Sequence, residues 1–334
     1  MQTGAPRAAE IHMTAHHNRT LSRRGFCLCC LSAPVLAAGG WLTPREAFAA
    51  AQGIVQLIKA DAARAPIAVH RLRGNVAVLE GSGGNVAVLS GRDGKVMVDA
   101  GIAVSQPHMA AALASLGPEP LTHLINTHWH FDHANGNEWL HLLGPRIVAH
   151  ENTRRHLATL QRVEDWQYDF LPLSPGALPG IVFADRHSMK LNGTEIDMTY
   201  YGPAHTDSDI SVYLADLDIL HTGDTFWNGI YPFIDYSTGG SIDGQIRAAD
   251  ANLKLCNRDT IIIPGHGAPV SNRAELQSFR DMLVAIRENV AILKRQGRPL
   301  AEIVTAKPTA AFDAKWGQFV IGPPLFTKLV YEGV

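Results

Sequence analysis

From about residue 75 onward, the chain alternates short apolar runs with turn signals, and the spacing of the apolar positions sorts the runs into strands and helices. Residues 75–79 and 85–89 are apolar stretches divided by Gly81-Ser82-Gly83-Gly84, which predicts a hairpin, and residues 95–99 read as a further strand. Ser105 stands where it can cap a helix that Gly117 ends. A strand over 121–126 then runs into His128, followed by a helix across 135–143, a strand at 146–149 and a helix over 153–161. The second half repeats the theme with strands at 195–200, 210–214, 218–221 and 260–263. A long helix capped by Ser271 and ended by Gly297 carries Leu276, Phe279, Leu283, Ile286, Val290 and Leu293 on one face, a stripe that belongs to a core.

Two stretches echo each other across the halves. Val96-Met97-Val98-Asp99-Ala100-Gly101 matches Ile219-Leu220-His221-Thr222-Gly223-Asp224, and Ile125-Asn126-Thr127-His128 matches Ile263-Pro264-Gly265-His266. Two similar sheet units packed face to face, with helices outside, would bring their strand ends to one edge. The expected fold is therefore a mixed α/β chain arranged as an αββα sandwich of two mixed sheets.

Composition narrows the function. A formal net charge of −2 offers no basic field to attract nucleic acid, and 46% hydrophobic residues suffice for a sizeable core. No apolar run after residue 50 approaches the roughly eighteen residues of a membrane helix, so no stable membrane anchor is expected. The N-terminus reads as an address. Ser22-Arg23-Arg24-Gly25-Phe26 precedes a weakly apolar segment from Cys27 to Leu42, and Ala47-Phe48-Ala49 offers small residues for cleavage. That is a twin-arginine pattern, which predicts a signal peptide over 1–49, passage through the twin-arginine export machinery and a periplasmic product. One domain is expected over 50–334, with a C-terminal helical extension from about 271. Cys27, Cys29 and Cys30 would leave with the signal, so Cys256 alone cannot form an intrachain disulfide.

The candidate chemistry lies in Thr127-His128-Trp129-His130-Phe131-Asp132-His133, directly after an apolar run. His128, His130 and Asp132 stand at alternate positions and can project to one side where a strand curls into a loop, while His133 points elsewhere. Nitrogen and carboxylate donors suit zinc, and also iron, manganese or nickel. Three later fragments add donors just beyond apolar runs or in Gly-rich turns: Gly202-Pro203-Ala204-His205-Thr206-Asp207, Leu220-His221-Thr222-Gly223-Asp224 and Ile263-Pro264-Gly265-His266-Gly267.

In the order and spacing of these blocks, over residues 70 to 270, the chain resembles the metallo-β-lactamase superfamily. The resemblance implies the αββα sandwich and two divalent metal ions, taken to be Zn2+. His128, His130 and His205 would hold the first, Asp132, His133 and His266 the second, and Asp224 would bridge them. An aspartate at 224 matches dinuclear hydrolases such as glyoxalase II and the lactonases; true β-lactamases carry cysteine, serine or another residue there. Residues 127–133, 149–152, 231–235 and 306–309 are also similar to a wider group of exported metallohydrolases, over nearly the whole mature chain.

The expected activity is hydrolysis of an ester, thioester, lactone or amide in a small-molecule substrate, with weak β-lactamase activity as a side reaction. A hydroxide shared by two ions and oriented by Asp132 would be the nucleophile. Asp99 and His221 are candidates to accept the outer N–H of a metal-held imidazole. Residues 225–235 contain no Lys or Arg, so the cation that one β-lactamase subclass uses for the substrate carboxylate is missing from its expected place. So is the basic, cysteine-containing stretch by which glyoxalase II grips glutathione. Trp166, Tyr168 and Phe170, facing Trp227 and Tyr231, would wall a pocket for an apolar or ring-bearing acyl group, with Trp166, Trp227 and Tyr231 as its lining. Lys315 is the cation of the C-terminal stretch that would edge the site. Two other readings use the same donors: a mononuclear iron oxygenase of the persulfide dioxygenase kind, and a non-catalytic metal or ligand carrier.

Overall fold

The computed structural model describes Met1 and residues 53–334; the expected export signal lies outside the described residues. After α1 (Ile54–Ala62), strands β1 (Ala68–Arg71), β2 (Val76–Glu80), β3 (Val86–Leu89) and β4 (Lys95–Val98) form an antiparallel meander. Helix α2 (Gln106–Ser115) crosses over to β5 (Leu121–Ile125). The short helices α3 (Phe131–Ala134) and α4 (Asn137–Leu140) lead to β6 (Arg146–His150) and α5 (Glu151–Leu157). β7 (Gln161–Val163) and β8 (Tyr168–Phe170) make a separate hairpin before β9 (Ile181–Phe183), so the first sheet runs β1-β2-β3-β4-β5-β6-β9 with its last four strands parallel.

The second sheet joins β10 (Arg186–Leu191), β11 (Thr194–Tyr200), β12 (Ile210–Leu214) and β13 (Ile219–His221) as antiparallel neighbours. β14 (Trp227–Asn228) and α6 (Ile242–Leu255) precede β15 (Ile261–Ile263), which pairs parallel to β13 at the sheet's end, and β16 (His266–Gly267), which pairs with β14. Helices α7 (Arg273–Arg295), α8 (Leu300–Ala306), α9 (Asp313–Trp316) and α10 (Pro323–Glu332) complete the chain.

The two-residue period of the strands builds the layers. Val76, Val78, Ala87, Leu89, Val96, Val98 and Ile125 of the first sheet pack against Ile196, Met198, Ile210, Val212, Ile219 and Ile263 of the second. Their neighbours Leu79, Val86, Val88, Met97 and Leu124 face outward instead, onto Met109 and Leu113 of α2 and Leu140 of α4. On the other side Leu220 and Ile262 meet Ile242, Ala249 and Leu253 of α6 and the stripe Leu276, Phe279, Leu283, Ile286 and Val290 of α7. Each such side chain contributes about 1.5–3 kcal/mol on burial, so a one-residue slip in any central strand would invert two layers together. This is the αββα sandwich that the pattern predicts, and the echoed stretches occupy equivalent places in it. β4 pairs parallel to β5 with Val98 opposite Ile125, and β13 pairs parallel to β15 with His221 opposite Ile263. Beyond each pair the same bond recurs: Asp99 N donates to Ile125 O (2.7 Å) and Thr222 N to Ile263 O (3.0 Å).

Local expectations fail where side chains find tertiary partners. The helix expected over 135–143 is broken, because Gly136 N donates to Gly101 O, and Gly136 passes so close to Ala100 O that a Cβ there would sit 2.1 Å away. Only α4 and a single 3-10 turn, His141–Leu143, remain of it. The helix expected over 153–161 starts at Glu151 instead, where His150 Nδ1 accepts from Asn152 N, and its last residues pass into β7. Ser105 stands before α2 but does not cap it; its hydroxyl donates back to Ile102 O at 2.7 Å. Ser271 is taken by a bridge to Ile262, and Asn272 caps α7 by accepting from Ala274 N and Glu275 N.

Candidate metal centre

Four strand ends deliver the candidate donors to one edge of the sandwich. β5 ends at Ile125, and His128 and His130 follow in the loop; Asp132 and His133 stand on the one-turn helix α3. Strand alternation therefore stops three residues short of His128, and the helical turn gives Asp132 and His133 their separate directions. His205 follows β11, Asp224 lies in a 3-10 turn after β13, and His266 opens β16 just past β15.

Two donor groups result. His128, His130, His205 and Asp224 form one, and Asp132, His133 and His266 the other; within each group the ligand atoms lie within 4.8 Å of one another. Asp224 faces both. Its Oδ2 lies 3.3 Å from His205 Nε2, 3.8 Å from His128 Nε2 and 3.4 Å from His266 Nε2, and its Oδ1 lies 3.0 Å from His133 Nε2. Asp132 Oδ2 is 3.1 Å from His266 Nε2. All seven expected ligands are thus together, and all are buried except His266, which is partly so.

The donor set fits cations. Four imidazoles have their outer nitrogen committed: His133 Nδ1 to Asp99 Oδ2 (2.7 Å), His205 Nδ1 to Phe233 O (2.8 Å), His130 Nε2 to Asp235 Oδ2 (3.0 Å) and His128 Nδ1 to Thr127 Oγ1 (3.0 Å). In a neutral ring that donates outward, the inner nitrogen is a bare lone pair. The inner nitrogens face other imidazoles, His130 Nδ1 against His205 Nε2 at 2.8 Å and His133 Nε2 against His266 Nε2 at 3.1 Å. His128 Nε2 is buried with no hydrogen-bond partner among the described residues. These separations fall a little short of the roughly 3.3 Å edge of a tetrahedron with zinc–nitrogen bonds of 2.0–2.1 Å, and the 3.0–3.8 Å from Asp224 to its imidazole nitrogens straddles it. Glycines leave the room: a Cβ on Gly84 would fall 2.2 Å from His133 Cε1, and one on Gly265 2.0 Å from Asp224 Oδ1.

Without ions, protons divide the set unevenly. Burial, with help from the neighbouring His133, His205 and His130, holds His128 well below the usual 6.5, and burial lowers His205 to about 4. Burial also opposes charge on His133 and His266, but the carboxylates outweigh it: Asp224, Asp99 and Asp132 raise His133 well above 6.5, and Asp224 and Asp132 raise His266 to about 9. Burial pushes Asp132 and Asp224 up, yet the surrounding imidazoles win, holding Asp132 at about 2 and Asp224 well below its ordinary value. The centre is therefore built around anionic aspartates that require positive charge.

Over residues 79–290 the chain matches the family model described as the metallo-beta-lactamase superfamily. The chain belongs to that superfamily. Its metallo-beta-lactamase fold is shared with a sec-alkylsulfatase from Pseudomonas sp., with a TM-score of 0.61 at 16% identity over 85% of this chain and 54% of that one. The chain spans about half the length of that alkylsulfatase. A metallo-beta-lactamase from Pontibacter korlensis superposes with a TM-score of 0.53 at 19% identity, over 65% of this chain and 99% of that one. In sequence, the hydroxyacylglutathione hydrolase of Rhodospirillum rubrum is 24% identical over 201 residues, 59% of this chain and 68% of that protein.

Of the two residues expected to brace the candidate donors, Asp99 does so. It takes a left-handed backbone conformation (φ 66) and accepts from Thr127 N and Oγ1 as well as from His133. His221 does not, because its Nε2 donates to Asn85 O and its Nδ1 accepts from Gly223 N. The aromatic wall is also redrawn. Trp227 lies 4.3 Å from the His266 ring and Trp166 lies 5.6 Å from His130, stacked on Phe233 at 4.7 Å. Tyr231 is removed from the expected pocket: it is fully buried, stacks on Phe326 of α10 and donates to Asp313 Oδ1 at 2.9 Å. Tyr168 and Phe170 form the β8 strand behind Trp166. Lys315 is exposed and lies over the Trp316 ring, which gives it a place on the C-terminal helices. Residue-by-residue reading missed Phe233 and Asp235, whose partners lie far away in sequence, His130 being 105 residues from Asp235.

Proposed function

We propose that this chain is a zinc-dependent hydrolase that cleaves an ester, thioester, lactone or amide bond in a small substrate with an apolar or ring-bearing acyl group. At the coarser level, superfamily membership and the converging histidines and aspartates make it a metal-dependent hydrolase. The observation that carries the finer reading is the single carboxylate, Asp224, standing between two complete donor groups. In this reading His128, His130 and His205 would hold one ion, Asp132, His133 and His266 would hold the other, and Asp224 stands where its carboxylate could serve both. When bound, the ions activate a water near neutral pH and polarise the scissile carbonyl.

The chain's own groups do the rest. Asp132 stays anionic at neutral pH and is fixed against His266, so its second lobe can accept a hydrogen bond from the attacking water and orient it. Asp99 and Phe233 O hold His133 and His205 by their outer nitrogens, which keeps the inner ones aimed inward. Trp227, Trp166 and Phe233 form apolar surfaces around the donors and exclude water from the acyl group. The similarity to hydroxyacylglutathione hydrolase favours an acyl substrate. The stretch 225–235, which contains no Lys or Arg, supplies no cation to grip a carboxylate.

Zinc content, turnover and oxygen uptake test the reading together. Zinc-loaded protein is expected to hold two ions per chain and to hydrolyse at least one member of a panel of acyl esters, thioesters, lactones and β-lactams, with activity lost to a chelator and restored by zinc. No turnover across the panel with both ions bound would leave a carrier; one iron per chain with oxygen consumption would make it an oxygenase. Turnover of a secondary sulfate ester and no acyl substrate would move it toward the alkylsulfatases. On the same panel Trp227→Ala is expected to lose roughly 10- to 100-fold in kcat/KM for bulky acyl groups relative to acetyl. An unchanged chain-length preference removes Trp227 from the pocket. Export belongs to the same proposal: Arg23→Lys/Arg24→Lys protein is expected to stay inside the cell, and its normal appearance in the periplasm would refute twin-arginine export.

A further inference from the structure

The stretch from Tyr231 to Asp235 begins away from the donors and ends against them. Tyr231 N donates to Trp316 O in the C-terminal helices, and the chain then turns back beneath the first donor group. There it touches two of that group's histidines at three points, two on their rings and one on the backbone of His205. Phe233 O accepts from His205 Nδ1 at 2.8 Å, Asp235 N donates to His205 O at 2.8 Å, and Asp235 Oδ2 lies 3.0 Å from His130 Nε2. Asp235 is 1% exposed, and its remaining lone pairs are filled. Thr238 Oγ1 donates to Oδ2 at 2.6 Å, and Ser237 donates to Oδ1 from its backbone N at 3.0 Å and from its hydroxyl. Thr238 Oγ1 in turn accepts from Trp129 Nε1 at 3.2 Å, next door to His130.

His130 differs from the other imidazoles of the two groups. It turns Nδ1, not Nε2, toward its neighbours, where Nδ1 stands 2.8 Å from His205 Nε2. Presenting Nδ1 requires the proton to reside on Nε2 and the ring to be held by that end. A buried, fully bonded carboxylate does both, because a hydrogen bond to an ionised acceptor is about twice as strong as one between neutral groups. We infer that Asp235 is the positioning residue of the first metal site: it fixes the tautomer and orientation of His130, and together with Phe233 O it sets the angle between His130 and His205. The inference rests on the metal-holding role proposed above. Asp235 touches neither substrate nor metal in this scheme, and its carboxylate acts through His130.

Asp235→Asn separates this role from a merely structural one. An asparagine can still accept from Ser237 at the turn, but the amide that replaces Oδ2 donates where His130 Nε2–H also donates. The ring then has to turn away or shift its proton to Nδ1, and either change spoils the ligand. Metal content by elemental analysis and zinc affinity by calorimetry are read on wild-type, Asp235→Asn, His130→Ala and the double variant, with Thr238→Val as a control that disturbs the turn and spares the carboxylate. The expected result is one tightly held zinc and one held 10- to 100-fold more weakly in Asp235→Asn, near-wild-type affinity in Thr238→Val, and no added loss from Asp235→Asn once His130 is alanine. Cobalt-loaded protein should show a changed visible band for the first site only. Two zincs bound at wild-type affinity by Asp235→Asn, or a full additive loss in the double variant, would overturn the inference. Wild-type protein that binds no zinc overturns the metal-site reading as well, so the two failures are told apart by the wild-type measurement.

Discussion

Asp224→Ala protein is expected to hold one zinc or none per chain and to lose at least about a thousandfold in kcat/KM on whichever acyl substrate the wild type turns over, a loss of roughly 4 kcal/mol in transition-state stabilisation. The size follows from position. Asp224 is 1% exposed and stands within 3.0–3.8 Å of four imidazole nitrogens, His133, His205, His266 and His128, so its removal takes the shared anion from both groups at once. Nothing nearby can replace it. Asp132 faces His266 and His133, and Asp99 and Asp235 face outward nitrogens. The backbone at 224 is held independently by Gln245 Nε2, which donates to Asp224 O at 2.8 Å, and the loss should therefore be chemical with the fold kept. Asp224→Asn keeps the shape and removes the charge, and should fall between wild type and alanine in both zinc content and rate. Elemental analysis beside kcat/KM checks both; an alanine variant with two zincs and wild-type turnover would exclude Asp224 as the bridge.

The second large effect comes from a residue with no functional group. Gly84→Ala would place a methyl 2.2 Å from His133 Cε1 and 2.5 Å from its Nε2, distances that no real contact allows. Neither side can yield easily. His133 is anchored through Nδ1 to Asp99, and the hairpin is stitched down by Gly84 N to Asp132 O (3.1 Å) and Asn85 N to Gly265 O (2.8 Å). Either the ring tilts or the hairpin lifts, and both displace His133 from the proposed second site. The expected outcome is one zinc per chain, a 100- to 1000-fold drop in kcat/KM, and a stability loss of about 1–3 kcal/mol from overpacking. Gly180→Ala, where a Cβ meets nothing within 4 Å, should leave zinc content, rate and melting temperature at wild-type values. Normal zinc content in Gly84→Ala would show that the hairpin is looser than its hydrogen bonds imply.

Parts of this centre are legible in the amino-acid sequence because they are local. His128, His130, Asp132 and His133 fall within six residues, and a run of that kind after an apolar strand leaves few other interpretations. The echo between residues 96–101 and 219–224 also translates into structure, since equal patterns of strand and turn build equal parallel pairs with the same closing hydrogen bond. Capping is less legible. Ser271 and Asn272 are both good caps, and the role falls to Asn272 only because Ser271 is needed in a bridge to Ile262. Tyr231 and Trp227 stand four residues apart with similar surroundings in sequence, yet one packs under the C-terminal helices and the other lies against His266.

By itself the sequence determined the strand alternation and the two-sheet architecture, which depend on residue type and short-range spacing, and it marked His128, His130, Asp132 and His133 as candidate donors; His205, Asp224 and His266 joined them through the superfamily resemblance. The tertiary structure decided which nitrogen of His130 faces inward, that Asp99 and Asp235 rather than His221 hold the imidazoles, and which aromatic rings border the site. Those outcomes depend on hydrogen bonds and packing between segments up to more than a hundred residues apart, and a hydrogen bond to a buried carboxylate is specified by where two loops meet, which no local pattern encodes.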